Sequence, residues 1–205
     1  MYRLDNILED WAEIYKPLSH DRRGDICDRT FFRIESINNN NEFVQNFNKV
    51  SSPCMAYSTL VDGSLRRSNS KFISYRHVIY FLVQQKAPRT RSRTIVNDSI
   101  EATEARYDAD DLVQDLLAFL FELKAAARQV TNGTVSQSTS DIVAEFIGNL
   151  TTDELQGIAG LQLEEAEWGT LPMKYNGWWI CGLEIEQTVP RNLCVVREKY
   201  HTDND

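Results

Sequence analysis

The order in which hydrophobic periodicity changes along the chain constrains its fold more than any single motif. Strand-like alternation surrounds Ser52–Gln85, a long helical pattern occupies Asp108–Gln129, and strand-like blocks return over Gln156–Val189. Sheet, helix and sheet within 205 residues predict one compact α+β domain. In it a mixed or antiparallel β-sheet packs against a long helix, with an N-terminal helix and a projecting β-hairpin. The domain is expected over residues 1–200, with 201–205 as a flexible tail.

Tyr2–Tyr15 reads as an amphipathic helix, because Leu4, Ile7, Leu8, Trp11, Ile14 and Tyr15 recur at three- and four-residue steps. Pro17 ends it, and its apolar face can cover the home sheet or a neighbouring subunit. Thr30–Ile37 is the first strand candidate, Asn38–Asn41 a loop, and Glu42–Asn48 a short helix. Pro53–Val61 and Phe72–Gln85 form the arms of a long hairpin, with Asp62-Gly63 as its turn signal and Arg66–Ser70 polar enough for its tip. The main helix is expected to begin near Asp108, where carboxylates suit exposed N–H groups. Its stripe is Leu112, Leu116, Phe119, Leu120, Leu123 and Ala127, broadened by Val113, Leu117 and Phe121. Gln129–Ser140 reads as a loop and Ile142–Ile147 as a short helix. Part of Leu155–Trp168, and Trp178–Thr188, read as the closing strands.

Composition narrows the function classes. With 30 Asp+Glu against 22 Lys+Arg, the net charge of -8 disfavours autonomous nucleic-acid binding. No apolar run is long enough to span a membrane, and MYRLDNILEDW carries acidic residues where a signal peptide needs an apolar core. A cytoplasmic site of synthesis is therefore expected. Cys27, Cys54, Cys181 and Cys194 lack CxxC spacing and read as buried small apolar groups.

Chemical motifs are scarce. Glu122-Leu-Lys124 has nuclease-like spacing, but two residues apart on a helix point in different directions, so a solvated helix explains it better. Asp108, Asp110 and Asp111 read as a helix start rather than a metal site. His20, His77 and His201 are dispersed, and His77 reads as structural or interfacial. No nucleophile elbow or phosphate-binding glycine loop is present. No catalytic residues, cofactor or metal are assigned, and the chain is expected not to be an enzyme.

Charge is segregated instead. Gly63–Arg93 carries Arg66, Arg67, Lys71, Arg76, Lys86, Arg89, Arg91 and Arg93 with no acid, whereas only Lys174 opposes the carboxylates of Asp141–Val189. Two solvated faces would account for this, as would a basic face of one subunit meeting the acidic face of the next around a ring. Loop tips facing DNA in a channel are a third possibility. Trp11, Trp168, Trp178 and Trp179 are candidate aromatic anchors, in the core or at an interface.

The opening helix, the Pro53–Gln85 hairpin, the Asp108–Gln129 helix and the closing strands together resemble the tail terminator and tail-completion (head–tail joining) proteins of long-tailed bacteriophages. The closest local likeness is Trp168-Gly169 and Gly177–Glu186. The chain departs from the family in its length and in the Gln129–Leu150 insertion. The resemblance implies a virion protein assembled in the host cytoplasm. It would form a homo-oligomeric ring, a hexamer or larger, at the head-proximal end of the tail. Its partners would be tail-tube and neck or connector proteins, with possible non-specific DNA contact in the channel and none with membrane. Another neck or connector ring protein is the alternative, and a metal-dependent nuclease-like enzyme a more distant one.

Overall fold

The computed structural model describes residues 4–34, 49–58, 62–65, 72–85, 100–133, 140–172 and 177–190. In chain order these contain α1 (Leu4–Ile14), β1 (Phe31–Ile34), β2 (Cys54–Ser58), β3 (Asp62–Leu65), β4 (Phe72–Gln84), α2 (Ile100–Thr131), α3 (Asp141–Asn149), α4 (Thr152–Ala159), β5 (Leu161–Pro172) and β6 (Trp178–Pro190). The strands form one mixed sheet in the order β1-β2-β4-β6-β5, with β3 also paired to β4. Among the described residues, β1 and β2 run parallel and the other pairings are antiparallel.

Thirteen-residue β4 organises the sheet. One edge pairs with β6 along its whole length, from Phe72↔Pro190 to Gln84↔Trp178. The other edge is shared, with β2 opposite Ile79–Leu82 and β3 opposite Ile73–Arg76. Period-two alternation then sorts the side chains. Ile79, Phe81 and Val83 point with Cys181, Leu183 and Ile185 into the main core, while Leu82 and Trp178 join Ile34, Val50, Cys54 and Ala56 on the opposite face.

α2 lies across the main-core face. Leu116, Leu120 and Leu123 are wholly buried there, each contributing about 1.5–3 kcal/mol relative to exposure. The helix begins eight residues before the expected Asp108. Ala105 and Ala109 continue the buried stripe backwards, and their small side chains let the helix approach the core without marking a strong apolar pattern. Asp108, Asp110 and Asp111 therefore lie inside the helix and do not cap its start. Phe121, expected to broaden the buried face, is 42% exposed.

α1 covers the home sheet. Trp11 meets Phe81 of β4 edge-on, packs against Phe119 of α2, and stacks on Tyr15 with ring centroids 4.3 Å apart. Its polar side is held as well. Arg33 on β1 donates to Asp5 (2.7 Å), Asn6 (3.2 Å) and Glu9 (2.8 Å), while Arg22 pairs with Glu9, Asp10 and Glu13.

Three further expectations change. Asp62-Gly63 is not the hairpin turn: both residues lie in β3, opposite Arg76 and Tyr75. The start of the Leu155–Trp168 strand is helical. Thr151 and Glu154 form a reciprocal capping box that opens α4, and strand pairing begins only at Leu161. Cys27 is exposed, unlike the buried Cys54 and Cys181. The expected helix at 42–48, the hairpin tip, the Lys86–Asn97 loop, Cys194 and the 201–205 tail lie outside the described residues.

Candidate assembly interface

Among the described residues, three polar clusters occur in the interior. In the first, Gln187 Nε2 donates to the Gly157 carbonyl at 2.9 Å, which directs Gln187 Oε1 at His77 Nε2, also 2.9 Å away. His77 must therefore donate from Nε2 and accept at Nδ1 from the Tyr57 hydroxyl, 2.9 Å away. Burial lowers the His77 pKa against the opposing hydrogen bond from Gln187, and burial pushes the Tyr57 hydroxyl up to about 12. Both ring nitrogens are thus occupied in a neutral imidazole that ties β2, β4, β6 and α4 together. The expectation of a structural His77 fits this geometry.

The second cluster centres on His20. Its Nδ1 accepts from the backbone N–H groups of Thr30 and Phe31 at 3.0 and 3.2 Å, and its Nε2 faces Glu9 at 3.7 Å. Burial lowers its pKa despite the attraction of Glu9 and Glu13. Burial also opposes ionisation of Glu9, but Arg33 and Arg22 outweigh it and hold the carboxyl below its usual range.

The third cluster corrects a sequence expectation. Lys124 is not a solvated helix residue: its side chain is buried, and its ammonium donates to both oxygens of Glu164 on β5 at 2.8 and 2.7 Å. Glu122 instead accepts from the backbone N–H of Ser140, where α3 begins. The nuclease-like pair is therefore split between two structural tasks. Among the described residues, no group of three or more His, Cys, Asp and Glu side chains is placed to hold a metal ion.

The surface offers more. β5 forms one end of the sheet and, among the described residues, pairs only with β6. Among the described residues its outer edge thus presents backbone donors and acceptors, with a register break between Gln162 and Glu167. Trp168 is opposite Leu183, on the helix side, and its indole N–H donates to Asp110 of α2 at 2.9 Å. Leu171 is opposite Ile180 on the other side. The two are 47% and 66% exposed, so the edge bears a large apolar group on each face.

This placement divides the four tryptophans. Trp11, Trp178 and Trp179 are buried in the chain's own core, whereas Trp168 is exposed at the edge. The charges divide similarly. Arg76, read as part of the basic face, pairs with Glu184 of the neighbouring strand. Glu167 faces Glu184 directly in register, and Glu165, Glu167 and Glu186 form no ion pair among the described residues. Arg66, Arg67, Lys71, Arg89, Arg91 and Arg93 lie outside those residues. The edge role of β5 escaped sequence reading because strand order is a long-range property; the run Glu164-Glu165-Ala166-Glu167-Trp168 was its local signal.

No helix among the described residues is long and apolar enough to cross a membrane. Comparison with protein-family models and with curated proteins gives no match.

Proposed function

We propose that the chain is a structural virion subunit that forms a ring at the head-proximal end of a long-tailed phage tail. It ends growth of the tail tube and joins tail to head or neck by non-covalent contacts. The observation that carries this reading is the element order: N-terminal helix, hairpin, long helix and closing strand pair around one mixed sheet. That is the outline on which the sequence resemblance rests. An edge strand with exposed Trp168 and Leu171, together with segregated charge, adds a surface suited to joining subunits.

The work assigned to the protein is mechanical: it buries complementary surface between copies and between stacked particle components. Native mass measurement with negative-stain imaging, alone and with a tail-tube protein, tests the proposal. A closed ring that caps tubes is expected. A chain that stays monomeric at high concentration and attaches to no capsid or tail component sinks it.

A further inference from the structure

We infer that the outer edge of β5 receives the basic stretch Lys86–Arg93 of a second copy of this chain. Trp168 and Leu171 would serve as apolar anchors, with Glu165 and Glu167 as counter-charges. This rests on the ring reading above and names the surface by which one subunit grips the next.

The edge selects its occupant by charge. Glu167 stands directly opposite Glu184, an unfavourable like-charge pair. Arg76 pairs with Glu184. Glu165 and Glu167 form no ion pair among the described residues. Pairing β5 with β5 of another copy would add like charges to these and is disfavoured. A nucleic-acid phosphate is repelled for the same reason. A basic segment added as a strand would relieve the repulsion and supply backbone partners to an edge that, among the described residues, pairs only with β6.

The chain contains such a segment. Arg89, Arg91 and Arg93 recur at every second residue, separated by Thr90 and Ser92. In an extended conformation this spacing puts all three guanidinium groups on one face. Glu165 and Glu167 are both exposed, Glu165 within the register break that follows Gln162 and Glu167 where regular pairing resumes. Ala87-Pro88, just ahead of the arginines, supplies apolar surface to meet an exposed aromatic ring. Because donor and acceptor surfaces differ, the contact is heterologous and propagates from copy to copy until rotation closes a ring.

Sedimentation and native mass of the full chain test the assignment, using two charge-reversed variants: Glu165→Lys with Glu167→Lys, and Arg89→Glu with Arg91→Glu. Each alone should raise the dissociation constant for self-association at least about tenfold. Trp168→Ala should do the same, with the melting transition of all three close to that of the parent. Mixing the two charge-reversed variants in equal amounts should restore assembly, because each then offers the surface the other lacks. If the parent assembles and the variants assemble equally well, or if mixing restores nothing, this acceptor assignment is wrong while the ring reading stands. A parent chain that never self-associates removes both.

Discussion

Single side chains set the acid limit of this fold. His20 and His77 are held neutral by hydrogen bonds that require an acceptor nitrogen, and burial lowers both pKa values. In the unfolded chain both imidazoles protonate near the ordinary value of about 6.5. Their neutral folded forms therefore contribute stability that is fully present above that pH and lost as pH falls through the depressed folded-state values. The melting temperature should accordingly fall between about pH 7 and pH 5, before the carboxylates titrate. His77→Gln should flatten that slope, and a profile level down to the carboxylate range would contradict the assignment. Histidine spacing in the sequence excluded a metal motif but could not reveal which imidazole nitrogen accepts, since the decisive partners of His77 lie 20 and 110 residues away.

At the level of elements, α2 is a principal source of cohesion, and Gly160 at the α4–β5 junction is the described glycine with the least room for a side chain. Leu116→Ala should cost about 2–5 kcal/mol. Phe121→Ala, five residues on but half in solvent, should change stability by only about 0.5 kcal/mol. Chemical denaturation of the two variants tests this contrast. Gly160 has an ordinary negative φ, yet a Cβ there would meet the Thr188 carbonyl oxygen at 1.9 Å. Gly160→Ala should therefore lower stability by about 1–3 kcal/mol as β6 shifts to make room, measured by the same titration. Strong periodicity made the body of α2, both long strands and α3 legible in the sequence. The start of α2 is hidden because alanines carry a weak signal, and α4 because Leu155–Leu163, just behind its Thr151–Glu154 capping box, carries a mixed pattern that also reads as strand.

At the scale of the molecule, the two apolar clusters lie on opposite faces of the same β4–β6 ladder. They should therefore be lost together. Tryptophan fluorescence, which samples Trp11 and Trp179 on one side and Trp178 on the other, should follow the same urea transition as backbone circular dichroism. Separate midpoints would mean that the faces melt independently. The α+β class and single sheet could be anticipated from the succession of periods. Strand order, and with it the identity of the exposed edge, depends on pairings between distant segments and could not be read from local pattern.

The β4–β6 ladder also has a mechanical consequence. Because the strands are antiparallel and paired from end to end, Gln84 and Pro190 lie at opposite ends of it. Tension between those two points strains every rung at once, in shear, and cannot peel them open in turn. A body built this way transmits a pull from one side to the other with little give.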